Sequence, residues 1–180
     1  MTLDTQIFYL LHGLAGQSPL LDWLILFFAS YFPYLVVAGF LILLAAAASP
    51  RREKIRVLLV VGGSALIARL GAVEAIRFFY HRPRPFTAFS FQPLFPDTAW
   101  SFPSGHAAFF FALATAVYLY NKKWGVGFFV AATFISVSRV AAGVHYPSDV
   151  LAGALLGALI AYIVFKIAKY WEQKTLNQTS

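Results

Sequence analysis

The chain has 180 residues, 60% of them hydrophobic and only 12% charged, whereas a soluble domain keeps about a quarter of its residues charged. Several apolar runs approach the roughly 20 residues that a bilayer crossing requires, so an ordinary soluble domain is excluded and an integral membrane protein is implied. A net charge of +7 fits basic loops on one side of a membrane better than a nucleic-acid partner. The absence of cysteine removes disulfides and thiolate metal sites.

In chain order, residues 1–14 are too short to span and read as an interfacial helix on the bilayer surface, with His12 an interfacial side chain. The N-terminus lacks the basic region and cleavage site of a signal peptide and is expected to be retained. A first span is predicted from about Leu20 to Ala47, kinked near Pro33, and a second from Ile55 to Tyr80. Residues 81–103, rich in proline and phenylalanine, read as an irregular loop. Two shorter spans follow, Ser104 to Tyr120 and Trp124 to Arg139. The last runs from Pro147 to about Ile167, before a polar tail, residues 171–180, that is expected to fray. The fold class is therefore all-α: one membrane helical bundle over residues 1–180, with about five spans and an N-terminal interfacial helix.

Five spans place the termini on opposite faces. Arg51, Arg52, Lys54, Arg56, Lys122, Lys123, Lys166, Lys169 and Lys174 fall on one face, and only Arg77, Arg82, Arg84 and Arg139 on the other. The positive-inside bias puts the richer face in the cytoplasm. The loops after the second and fourth spans then face outward.

Three polar segments lie at that outer end: "RFFYHRPRPF" (77–86), "SFPSGHAAF" (101–109) and "SRVAAGVHYPSD" (138–149). Together they offer several guanidinium forks, two histidines and a carboxylate. Guanidinium matches phosphate oxygens two at a time and stays charged, so this is a set for binding and cleaving a phosphate. Asp149 follows His145 by four residues, about one helical turn if a helix begins near Pro147. A carboxylate accepting the Nδ1 proton fixes one tautomer and leaves Nε2 free to attack. His145 is thus the candidate nucleophile and Asp149 its orienting partner. Pro103 and Ser104 suit a helix start, where free amides favour an anion, so Ser104 and Gly105 are expected to cradle phosphoryl oxygens. His106, in the same turn, is placed to protonate the leaving oxygen and later activate water. Arg77, Arg84 and Arg139 would neutralise transition-state charge. No cofactor or metal ion is expected, because the carboxylates are too scattered for a metal cage.

These motifs, Arg77-x6-Arg84-Pro85, Pro103-Ser104-Gly105-His106 and Ser138-Arg139-x5-His145-x3-Asp149, resemble the type 2 phosphatidate phosphatase family, which shares its site with the vanadium haloperoxidases. That family carries K-x6-RP, PSGH and SR-x5-H-x3-D on a helical bundle. Arg77 replaces its lysine. The resemblance implies a metal-independent phosphatase working through a phosphohistidine, with His145 as nucleophile, His106 as acid and base, Asp149 as orienter, and Arg77, Arg84, Ser104, Gly105 and Arg139 on the phosphate. Within the family, the short chain and its apolar opening resemble bacterial undecaprenyl-diphosphate phosphatases. That implies a lipid-phosphate substrate reached from the bilayer, at the exterior or periplasmic face of the plasma membrane. Phosphatidylglycerophosphate, phosphatidate and lipid A are the alternative substrates, since the motifs read only the phosphate. A transporter is disfavoured because the polar residues gather at one interface. Oligomeric state is not encoded legibly.

Arg69 and Glu74 fall inside the second span, where a lone charge costs about 2.5–3.5 kcal/mol on insertion scales. Glu74 shares a helix face with Arg77, so it either orients that arginine or forms a purely structural pair. Arg82 reads as a headgroup contact or a solvated side chain, and His81 as structural. Phe86, Phe89, Phe91, Phe95, Trp100 and Phe102 read as an interfacial belt or as the wall along which a lipid chain enters.

Overall fold

The computed structural model describes residues 1–179, the side chains at 176, 178 and 179 excepted, and they are helical throughout with connecting loops. Helix α1 (Leu3–His12) starts where the Thr2 hydroxyl accepts from the Thr5 amide. Helix α2 (Pro19–Leu26) is capped by Ser18 with proline in its first turn, the usual N-terminal chemistry. A π-helical turn (Phe27–Tyr31) joins it to α3 (Phe32–Ala46). The kink expected at Pro33 is therefore a widened turn just before it, which leaves room for the ring without breaking the helix. The second span has the same build, with α4 (Arg51–Leu66), a π turn (Ile67–Ala72) and α5 (Val73–Phe79).

The loop after α5 holds one short turn of helix, α6 (Pro85–Ala88). Next come α7 (Gly105–Tyr120), α8 (Lys122–Ala141, capped by Asn121) and α9 (Pro147–Thr179). Four helical runs are long and apolar enough to cross a membrane: Pro19–Ala46, Arg51–Phe79, Lys122–Ala141 and Pro147–Thr175. Helix α7 has 16 residues and spans about 24 Å at 1.5 Å rise. It is sheathed by the others, with Ala107, Ala108, Ala112, Ala114 and Ala116 all fully buried. The chain is an integral membrane protein.

Small residues set the packing. A side chain added at Gly153 would meet Ala107 Cβ at 3.0 Å, and one at Gly157 would meet the Ala112 amide at 2.9 Å. This G-x3-G stripe lets α9 lie against α7 backbone to backbone, the means by which helices associate in lipid. The Ser104 amide also donates to the Asp149 carbonyl at 2.9 Å, tying together the N-termini of α7 and α9, which carry His106 and Asp149.

Two expectations need correction. The tail does not fray: α9 continues to Thr179, because no glycine or proline follows Gly157 and Glu172 pairs with Arg56 and Lys169. Ser180 lies outside the described residues. His12 is more than an interfacial side chain, since its Nδ1 donates to the Ala141 carbonyl at 2.8 Å. Phe8 beside it is fully buried among Phe89, Phe91 and Tyr146. Helix α1 is thus docked on the bundle.

Candidate active site

The three polar segments meet. His106 and His145 line one cavity of about 40 Å³ together with Arg69, Arg77, Arg84, Asp97, Ala99 and Gly105. Each arrives by a different route. His106 stands in the first turn of α7, opened by Ser104. His145 lies in the turn between α8 and α9, where Gly143 takes φ +85°, a left-handed conformation natural to glycine. Arg77 ends α5, and Arg84 precedes α6.

The imidazole of His145 is 1% exposed. Its Nδ1 stands 3.5 Å from Asp149 Oδ2 and lacks a formed hydrogen bond, an electrostatic contact at the edge of bonding range. Burial depresses the His145 pKa to about 4; Asp149 opposes that shift, while Arg139 and Arg84 add to it. The ring is therefore neutral at physiological pH, and its Nε2, 3.4 Å from Arg84 Nη1, carries a lone pair.

Asp149 is more heavily held than the spacing suggests. Its Oδ1 accepts from Arg82 Nη1 at 2.6 Å. Its Oδ2 accepts from the Ser101 hydroxyl at 2.5 Å and the Tyr146 amide at 2.9 Å. Arg82 in turn donates to Asp4 Oδ2 at 2.8 Å, and Asp4 also receives the amide and hydroxyl of Ser148. Burial works to raise the Asp4 pKa, but the bonds from Ser148 and Arg82 outweigh it and hold the carboxyl below its ordinary range. Arg82, left between a headgroup contact and a solvated side chain by its sequence, links α1 to the Asp149 carboxylate while its guanidinium stacks 3.9 Å from the Tyr146 ring centre.

A buried histidine backed by a carboxylate and a half-buried one, facing a cluster of arginines, form a phosphate-handling site, and residues 53–173 match the PAP2 superfamily. This chain belongs to that superfamily. It is 31% identical over 167 residues to the undecaprenyl-diphosphatase BcrC of Bacillus subtilis, covering 92% of this chain and 84% of that protein. A lipid A 1-phosphatase of Rhizobium johnstonii is 42% identical over 81 residues, which cover 43% of this chain and 33% of that protein. The crystal structure of LpxE from Aquifex aeolicus superposes with a TM-score of 0.73 at 32% identity, covering 92% of this chain and 96% of that one. The PAP2 chain is accordingly a membrane phosphatase.

On the anion side of the PAP2 site, Arg84 is fixed by donating to the carbonyls of Ala99 and Val144, each at 2.6 Å. Burial lowers its pKa to about 10, partly offset by Asp97, so it stays charged. Arg77 donates to the Pro103 carbonyl at 3.1 Å and stands 3.4 Å from Glu74. Glu74 also binds Arg69, so one carboxylate serves two arginines. Arg139 Nη1 lies 3.4 Å from both His106 Nε2 and the Ala29 carbonyl, inside the first π turn. The Ser104 hydroxyl accepts from the Ala107 amide of its own helix at 3.4 Å, which leaves its O–H as a donor. No group of three or more His, Cys, Asp or Glu side chains among the described residues is placed to hold a metal ion.

Sequence reasoning missed Asp97. Its Oδ1 meets Arg84 Nη2 at 2.7 Å and its Oδ2 meets Arg139 Nη2 at 2.8 Å, so a carboxylate bridges two of the arginines expected to bind phosphate. The available signal was the lone acid of the 81–103 loop, eight residues before Gly105. Part of that aromatic loop packs on the protein itself, while Phe89 and Trp100 keep exposed faces. Phe86 and Phe95 pack inward against Ile25, Ala141, Ala142 and Val144, Phe95 lies beneath the Arg139 guanidinium, and Phe89 and Phe91 cover Phe8.

Proposed function

We propose that this chain is a metal-independent lipid phosphatase that converts undecaprenyl diphosphate to undecaprenyl phosphate through a phosphohistidine at the outer face of the plasma membrane. The observation that carries the reading is the single cavity lined by His106, His145, Arg77 and Arg84. Nε2 of neutral His145 attacks the terminal phosphorus, and the bond from phosphorus to the leaving oxygen breaks. His106 supplies the proton that this oxygen takes up. The carboxylate of Asp149 stabilises the positive imidazole that forms, and Arg77, Arg84 and Arg139 bear the charge of the equatorial oxygens. His106, now a base, removes a proton from water. The resulting hydroxide displaces phosphate from Nε2 and restores the starting state.

The diphosphate is favoured over lipid A because the undecaprenyl-diphosphatase relative matches 92% of this chain, against 43% for the lipid A 1-phosphatase of Rhizobium johnstonii. The outer face follows from the scarcity of lysine and arginine at the site's end of the bundle. The test is purified protein in detergent with excess EDTA, offered undecaprenyl diphosphate, phosphatidylglycerophosphate, phosphatidate and lipid A in parallel. Phosphate should come fastest from the diphosphate, and acid-labile phosphate should be trapped on wild type but not on His145→Ala. Activity that chelation abolishes and Mg²⁺ restores contradicts the scheme. So does near-normal turnover by His145→Ala.

A further inference from the structure

Beside the 40 Å³ cavity lies a second one of about 250 Å³, and the two share a wall made of Arg69, Gly105 and His106. The larger cavity runs between Pro33, Tyr34 and Val37 of α3 and Phe109 and Phe110 of α7. It is an apolar cleft between two membrane helices with a guanidinium at its inner end.

Arg69 is the charge the hydrolysis scheme leaves unused. It stands in the π turn of the second span, amid the outward-facing Leu66, Ile67 and Leu70. A charge at such a place is retained for a substrate or a partner. Its partner Glu74 is shared with Arg77 and is half exposed, so the carboxylate neutralises only one of the two arginines. The side chain is also pressed against Gly105: an added Cβ there would stand 2.5 Å from Arg69 Nε. The absent side chain at Gly105 is what lets the guanidinium reach the wall that also holds His106.

We infer that Arg69 binds the inner phosphate of a lipid diphosphate, whose chain lies in the cleft between α3 and α7 while its terminal phosphate enters the histidine cavity. The inference rests on the lipid-phosphatase reading above and adds a specificity subsite to it. The order of groups fits the chemistry. In a diphosphate the leaving oxygen is the bridge between the two phosphates, and His106 stands in the wall between the two cavities. Charge matches as well. Once phosphate displaces Asp97, the guanidiniums of Arg69, Arg77, Arg84 and Arg139 face only Glu74. That leaves an excess near three positive charges, for a diphosphate monoester carrying about −3 where a lipid monophosphate carries about −2.

The experiment compares wild type and Arg69→Gln on a prenyl diphosphate and on the monophosphate of the same chain, in one detergent. The ratio of kcat/KM for diphosphate over monophosphate should fall at least tenfold in Arg69→Gln, and turnover of the monophosphate reports that the variant is folded. An unchanged ratio, whether both rates drop or neither does, overturns the assignment. Should the variant not fold, or should wild type leave the monophosphate unhydrolysed, wild type alone decides: a prenyl methylenebisphosphonate should inhibit at least tenfold more tightly than the prenyl phosphonate, and equal inhibition overturns the subsite. Wild type that hydrolyses neither lipid sinks the phosphatase reading. Wild type that is active, joined to an unchanged ratio, sinks the Arg69 subsite alone.

Discussion

The Asp97 carboxylate pairs with Arg139 at 2.8 Å and reaches Arg84 with its other oxygen at 2.7 Å. One anionic group thus bridges two guanidiniums through separate oxygens, charge-assisted contacts that a phosphate could also make. On the proposed reading, an anion that binds between Arg84 and Arg139 displaces that carboxylate. Asp97→Asn removes the internal competitor's charge and leaves Arg84 held by the Ala99 and Val144 carbonyls. Vanadate and inorganic phosphate should then inhibit about tenfold more tightly, corresponding to about 1.4 kcal/mol. Inhibition constants for both anions in wild type and variant check this, and equal constants would remove the competitor role.

The N-terminal helix reaches the proposed nucleophile through three links. Asp4 holds Arg82, Arg82 holds Asp149 Oδ1, and Asp149 Oδ2 stands 3.5 Å from His145 Nδ1. Burial tends to lower the Arg82 pKa, but the bond to Asp4 and the charge of Asp149 raise it above its ordinary value, so the link stays ionic. In Asp4→Asn the amide still meets Ser148 but no longer anchors Arg82 by charge. We expect kcat to fall about tenfold while KM moves less than threefold, since the arginines proposed to bind phosphate are untouched; a charge-assisted bond of about 1.5–3 kcal/mol sets this scale. Steady-state kinetics separate the two parameters. A change in KM alone would show that α1 serves substrate binding instead.

The residues that sequence reveals best are those whose partners are near in the chain or fixed by an invariant spacing. His145 and Asp149 are four apart and could be paired from helical geometry alone, and the spans were visible because bilayer thickness imposes their length. Arg82, Asp97 and Asp4 were not legible as site residues. Their partners are 67, 42 and 144 positions away, and nothing local encodes such a contact. The inward packing of Phe86 and Phe95 was hidden for the same reason: phenylalanine beside a membrane end fits a belt until a buried face appears for it to cover. The tail misled in the opposite way, because polarity was read as disorder where an ion pair between Arg56 and Glu172 anchors a helix.

Stability should carry the mark of the buried imidazole. His145 has a pKa of about 4 in the folded chain and about 6.5 when unfolded. Between those values the unfolded chain takes up a proton that the folded one refuses. Stability is therefore highest above pH 6.5 and declines as pH falls towards 4, by on the order of 3 kcal/mol from this group. His145→Gln, which does not titrate, should lose less stability over that window by about this amount. Thermal unfolding in detergent at pH 7 and pH 4.5 tests the difference. Parallel losses in both proteins would mean that the ring is protonated in the folded state.

The last prediction concerns the frame. Gly157 faces the α7 backbone so closely that a Cβ would stand 2.9 Å from the Ala112 amide, and backbone cannot move aside as a flexible side chain does. Gly157→Leu must push α9 away from α7. That separates the helix bearing Asp149 from the helix bearing His106, although position 157 touches neither. Activity should fall at least a hundredfold, because a displacement of about 1 Å from a remote substitution can cost that much. Thermal stability should fall with it, since overpacking costs about 1–3 kcal/mol. On the far side, Gly127 has open space around it, so Gly127→Leu should leave both activity and melting temperature near wild type. Equal tolerance at 157 and 127 would mean that close contact between α7 and α9 does not set the distance between the two histidines.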